Sequence, residues 1–252
     1  MFELIKREVL GRYRGSIVGL AWSFFNPILM LMTYTFFFTV VFKARWGSNP
    51  AESRWEFAII LFVGLIIHGL FAECINRAPS LITGNVSYVK KIIFPLEILP
   101  CIAMGSALFH TAISILVLLV AKFILGMMWS WSLIFFPLIL APLVLTTLGV
   151  AWFLAATGVY VRDISQITGV ITSILMFTSP IFFPLSSLPP QFKAVVLFNP
   201  LTLIIEQSRK VLIFNIQPDW VDLGVYTLIS MLIAWGGFWW FQKTRKGFAD
   251  VL

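Results

Sequence analysis

Eleven acidic residues, two histidines and two cysteines are what this 252-residue chain has for chemistry, and their spacing forms none of the usual catalytic constellations. His68 and His110 each sit inside a long apolar run, where an ionisable residue is a functional suspect. Neither has a carboxylate three or four residues away, Glu73 being five positions beyond His68. The spacing favours hydrogen bonding between helices by a neutral imidazole over a proton relay. Cys74 and Cys101 are too few for a metal site. Both fall near expected cytoplasmic ends of apolar runs, where a disulfide is not expected. The phosphate-binding G-x-x-x-x-G-K-[ST] loop, the G-x-S-x-G elbow and the H-E-x-x-H zinc motif are all missing from the sequence. The sequence therefore predicts no catalytic residue, metal or cofactor in this chain, and any work it does draws on energy supplied elsewhere.

Polar residues at regular spacing are more informative. Ser165, Thr168, Gly169, Thr172, Met176, Ser179 and Phe183 recur at steps of three and four, which puts them on one helix face. Two readings stand: close packing through small residues, or a channel wall that offers hydroxyl groups to a polar substrate. Trp22, Asn26, Thr33 and Phe37 share a stripe of another apolar run and could supply the facing wall. Glu206 and Arg209 are three apart and share a helix face, as a local ion pair or as a pair of gate residues. Between two apolar runs, the stretch Asn85–Pro100 carries Tyr88, Lys90, Lys91, Pro95 and Glu97. Nothing there is catalytic; it reads as a handle on which another protein could push. Proline suits a first helical position and Glu97 complements the positive end of a helix dipole, so a helix is expected to start at Pro95 or Leu96.

The elements that position these residues follow from composition. The chain is 60% hydrophobic and 12% charged, against about 25% charged in soluble domains, and a membrane-crossing helix needs about 20 mostly apolar residues. Six such runs are expected, at about 22–42, 57–72, 96–125, 133–161, 164–183 and 223–241, giving an all-α integral membrane domain over residues 1–252. Residues 1–15 are amphipathic, with Phe2, Ile5 and Val9 at helical steps, and suit a helix in the interface plane. Their apolar continuation is too long for a signal peptide's core and lacks a small-x-small cleavage site. Residues 184–212 are broken by Pro184, Pro189, Pro190 and Pro200, and their apolar segments are too short to cross, so they read as re-entrant helices. With both termini cytoplasmic, most of the 18 lysines and arginines fall inside, from Lys6, Arg7, Arg12 and Arg14 to Lys243, Arg245 and Lys246. In so apolar a chain the net charge of +7 fits contact with anionic lipid heads, and no nucleic-acid partner is expected.

The order of these motifs resembles a known family. Arg12-Tyr-Arg-Gly-Ser-Ile-Val-Gly-Leu-Ala-Trp-Ser-Phe-Phe-Asn-Pro27 is similar to the opening of polysaccharide ABC exporter permeases, the group of O-antigen, capsule and teichoic acid exporters. Lys91-Ile-Ile-Phe-Pro-Leu-Glu-Ile-Leu-Pro100, Tyr160-Val-Arg-Asp-Ile164 and Asn199-Pro-Leu-x7-Arg-x-x-Leu212 resemble its later motifs, in the same order. The Arg-Tyr-x-Gly-Ser-x-x-Gly-x-x-Trp opening is closest to the O-antigen branch.

The resemblance implies a homodimer working with two copies of a separate ATPase, which would bind ATP and Mg. It implies six spans in the bacterial inner membrane, and export of an undecaprenyl-linked polysaccharide. The N-terminal interface helix and a coupling helix between spans two and three would contact the ATPase, through Arg7, Arg12, Tyr88, Lys90, Lys91 and Glu97. Trp22, Asn26, Thr33, Phe37, Thr168, Thr172, Met176, Ser179 and Phe183 would line the channel. Pro184, Pro189, Pro200, Glu206 and Arg209 would belong to the outer gate. A drug or lipid exporter of the same architecture is the alternative. A membrane glycosyltransferase is remote, because Glu73, Glu97 and Asp163 are too scattered to bind a metal and a sugar nucleotide.

Overall fold

The computed structural model describes residues 1–41, 46, 54–90, 94–127 and 131–252. Lys91 lies outside them, as does the side chain of Lys90. Every regular element among the described residues is helical. A short α1 (Phe2–Arg12) precedes α2 (Trp22–Thr35), which continues in wider π-type turns over Phe36–Val41. Then come α3 (Arg54–Arg77), two short helices α4 (Ser80–Thr83) and α5 (Val86–Lys90), and the long α6 (Ile98–Ile124) and α7 (Phe136–Tyr160). The chain closes with α8 (Ile164–Thr178), α9 (Pro190–Phe198), α10 (Pro200–Leu212), α11 (Trp220–Thr244) and α12 (Phe248–Val251).

Among the described residues, five segments are long and apolar enough to cross a membrane: Gly19–Phe38, Trp55–Arg77, Ile98–Ile124, Trp131–Tyr160 and Trp220–Val251. The expected fifth of six spans, 164–183, falls short of that length. Its helix α8 has 15 residues, about 22 Å at 1.5 Å per residue against a hydrocarbon core of about 30 Å. It ends because Ser179 is extended (φ −95°, ψ 156°), the conformation forced on a residue that precedes proline, here Pro180. A second difference lies at the start of α6. Helical backbone begins at Ile98, not at Pro95 or Leu96, and Pro95–Glu97 form a turn whose Pro95 carbonyl accepts from Ile98 N. Glu97 makes no side-chain cap there.

α3 is the centre of the bundle. Of its apolar window 72% is buried, against 11% for the first span and 22% for the last. Its Leu61, Val63, Ile67 and Leu70 join Leu118, Ile139, Leu143, Ile204 and Ile205 in one core. A second, smaller core gathers Ile82, Leu99, Ala155, Val159, Phe241 and Phe248 where α4, α6, α7, α11 and α12 meet. α7 and α11 approach most closely at Gly149 and Gly237. A Cβ on Gly149 would stand 2.5 Å from the Ile233 carbonyl oxygen, and one on Gly237 would overlap the Gly149 backbone. Thr146 adds a 2.8 Å hydrogen bond to Ser230 across the same pair. Small residues thus set this contact, as membrane helix pairs require where burial of apolar surface gives no drive.

Candidate functional site

Four opposite charges organise one end of the bundle. Glu8 and Arg12 are four apart on α1, and Glu73 and Arg77 are four apart on α3, so each helix could satisfy its own pair. The closest contacts run between the helices: Arg12 Nη1 donates to Glu73 Oε1 and Arg77 Nη2 donates to Glu8 Oε1, while the Glu73–Arg77 pair within α3 is kept at 3.9 Å. His110 of α6 completes the cluster, its Nδ1 3.0 Å from both Glu73 oxygens and its Nε2 3.2 Å from the Tyr13 hydroxyl. One tautomer satisfies both contacts: Nδ1–H donates to the carboxylate and Nε2 accepts from Tyr13. Burial raises the Tyr13 phenol above its ordinary value, with Arg12 opposing and Glu73 adding, so the hydroxyl keeps the proton it donates.

The sequence reading missed this acidic partner of His110 because it searched along one helix. The partner comes from another. The legible signal was the pair of matching Glu/Arg steps on two neighbouring segments.

The cluster borders a cleft of about 370 Å³ between α2, α3 and α6. Asn26, Met30 and Tyr34 line one side, Leu65, His68, Thr111 and Ser114 the other, and Met176 of α8 borders it. His68 makes a 2.9 Å hydrogen bond to the backbone carbonyl of Thr172, helix to helix. Thr172 in turn reaches Asn76 Oδ1 at 3.3 Å.

The hydroxyl face of α8 divides accordingly. Thr168, Thr172 and Ser179 are buried, Thr172 against α3, and Met176 and Phe183 are half-buried. The open face of α8 carries Gln166, Gly169, Ser173 and Phe177 along a groove. Trp22, Asn26, Thr33 and Phe37 are all exposed on α2.

At the opposite end of α3 stands Arg209, 1% exposed. Its Nη1 pairs with Glu206 at 2.7 Å, Nε donates to the Ile60 carbonyl at 3.2 Å and Nη2 to the Ile181 carbonyl at 3.1 Å. Its guanidinium lies 4.2 Å from the Trp46 ring centroid. The expected local pair exists, and it is one arm of a larger network.

The prolines punctuate as expected. Pro184 and Pro189 bracket a 3₁₀ turn at Leu185–Ser187, and Pro200 opens α10 behind an Asn199 cap that accepts from Leu201 N. Asn199 Nδ2 also donates to the Leu175 carbonyl, and Lys122 Nζ to the Leu212 carbonyl. Both ends of α10 are therefore held, one at the end of α8 and the other at the end of α6.

Of the expected coupling residues, Arg7, Tyr88 and Glu97 lie near the small core. Arg7 donates to the Tyr88 hydroxyl at 2.8 Å, joining α1 to α5, and the Tyr88 ring stacks on Phe94 at 4.7 Å. Glu97 pairs with Arg245 at 3.0 Å, and its carbonyl accepts from Trp152 Nε1.

Residues 1–213 match the sequence profile of a protein family described as ABC-2 type transporter. Over its whole length the chain is 26% identical to an O-antigen export system permease protein RfbA from Myxococcus xanthus, covering 95% of that protein. It is 24% identical, again over its whole length and 96% of the relative, to an RfbA of the same description from Klebsiella pneumoniae. A polysialic acid transport protein KpsM from Escherichia coli is 24% identical over 92% of this chain and 89% of its own.

Proposed function

The chain belongs to the ABC-2 type transporter family, and from that premise we propose that it is the permease of an O-antigen-type polysaccharide exporter. What carries the reading is the end-to-end similarity to O-antigen export permeases, with the capsule-type relative matching over a smaller share. On this reading two copies of the chain form the pathway, in a bacterial inner membrane with both termini inside. Two copies of a separate ATPase bind ATP and Mg and drive it, since the chain has no phosphate loop of its own. The cargo is a polysaccharide on an undecaprenyl carrier.

Three groups of residues divide the work. Arg7, Arg12, Tyr88, Lys90, Lys91 and Glu97 receive the ATPase; the Arg7–Tyr88 bond supports this, because it makes α1 and α5 one surface. The exposed stripe of α2 from Trp22 to Phe37, with the face of α8, lines the path. α9 and α10 dip into the outer leaflet as the gate. α8 and the 179–183 segment that follows it complete the sixth crossing.

Deleting the gene tests the function: lipid-linked polymer should accumulate in the inner leaflet and surface polymer should disappear. A deletion strain with normal surface polymer refutes it.

A further inference from the structure

We propose that Glu73 is a positioning residue that fixes α1 to α3 and α6 as one body, and that α2 moves against this body on a hinge at Gly15 and Gly19. The inference rests on the transporter reading for its purpose, while its test reads geometry alone.

α1 is held at points along its whole length. Near its start, the Ile5 side chain fills the space over Gly105 of α6, where a Cβ would collide with it. Arg7 then bonds Tyr88, Glu8 pairs with Arg77 and Arg12 pairs with Glu73. Glu73 is the hub among these: it accepts from Arg12 and from His110, and Arg77 Nη1 lies 3.9 Å away. Its side chain is 18% exposed, so its contacts work in a sheltered site where charge-assisted bonds are strong.

Past Tyr13 the ion pairs give way to apolar packing, in which Ile28, Leu31, Tyr34 and Phe38 of the first span lie against the core. The chain turns through Gly15 (φ +87°) and Gly19 (φ +57°), and a Cβ at either would meet nothing within 4 Å. Those angles are cheap only for glycine, which also has the widest choice of alternatives. Beyond them the first span has the least buried window of the five, and the 370 Å³ cleft opens beside its contacts with α3 and α6. A helix with few buried contacts beside a cavity has room to move. A force delivered to α1 would therefore be felt by α3 and α6 directly, and by α2 through the hinge and its apolar contacts with the core.

The test uses the full chain in lipid nanodiscs, with Cys74→Ser and Cys101→Ser, diluted with unlabelled chain. Nitroxide pairs at Glu3→Cys with Ala112→Cys (α1 to α6) and Leu29→Cys with Ala112→Cys (α2 to α6) are read by pulsed electron resonance. The first pair should give one narrow distance. The second should be about twice as broad, or split into populations roughly 5 Å apart, the scale of a one-turn shift. In Glu73→Ala the first pair should broaden to match the second. If Glu73→Ala fails to fold, Arg12→Ala, at a half-exposed side chain, should broaden the first pair in part. A second pair as narrow as the first in the parent overturns the hinge. A first pair left narrow by the Glu73 variant, or by the Arg12 variant in its place, overturns the anchor. Loss of export without these changes would bear on the transport reading and not on this one.

Discussion

Arg209 of α10 donates to the backbone carbonyl of Ile60 on α3 at 3.2 Å, so a side chain from the expected gate is bonded to the most enclosed helix of the bundle. Gly64 makes the approach possible, since a Cβ there would stand 3.3 Å from Arg209 Nη2 and 3.1 Å from Ile181. Arg209→Ala leaves two carbonyls without this donor and Glu206 without its partner. A loss of about 3–5 kcal/mol is expected for breaking a buried pair, read as a large drop in Tm. Glu206→Gln leaves the buried guanidinium without its counter-charge but keeps an acceptor for it beside the two carbonyls, and should cost less, about 1–3 kcal/mol. Equal losses from the two variants would contradict a network centred on the arginine.

The α7–α11 contact gives an internal control for packing. Gly149→Ala and Gly237→Ala each place a methyl group on the facing backbone, while Gly236→Ala meets nothing within 4 Å. Overpacking should cost about 1–3 kcal/mol in the first two. The third should be neutral or gain up to about 1 kcal/mol from helix propensity. Thermal unfolding of the three variants in one detergent decides it; a Gly236→Ala loss as large as the others would mean that its open side is covered.

How much of this was readable beforehand depended on whether the determinant was local. The apolar runs foretold α2, α3, α6, α7 and α11 because length and hydropathy are properties of a single segment. The prolines at 184, 189 and 200 likewise marked where helices break. The start of α6 lies two to three residues later than expected, and Glu97 pairs with Arg245, 148 positions away, rather than capping the helix. His110 looked unpaired for the same reason, its carboxylate lying 37 positions earlier. For α8, periodicity identified the hydroxyl face but could not say which neighbour it would meet. The fold put Thr172 against α3.

That burial separates two sets of α8 variants. Thr168→Trp and Thr172→Trp force a bulky ring into sites 2% and 3% exposed, and should lose about 1–3 kcal/mol or fail to assemble. Gly169→Trp and Ser173→Trp fall on the open groove and should leave a monodisperse, folded protein whose export is blocked. Size-exclusion profiles and surface polymer, measured on the same cells, separate folding from passage. Normal export in Ser173→Trp would remove this face from the pathway.

The Arg7–Tyr88 bond offers the narrowest test of coupling. Tyr88→Phe deletes the hydroxyl that accepts from Arg7 but keeps the ring that stacks on Phe94. An exposed hydrogen bond of this kind contributes about 0.5–1.5 kcal/mol, so the fold should survive with little change in Tm. If α1 and α5 act as one surface, the variant should hydrolyse ATP with its partner but export less polymer for each ATP consumed. Charge reversal at Lys90 and Lys91 should uncouple more severely, because repulsion would replace any attraction to an acidic surface on the ATPase. ATP turnover measured against surface polymer in the same membranes gives the ratio. An unchanged ratio in all these variants would return Lys90 and Lys91 to their topological role and leave Tyr88 as a packing residue of the small core.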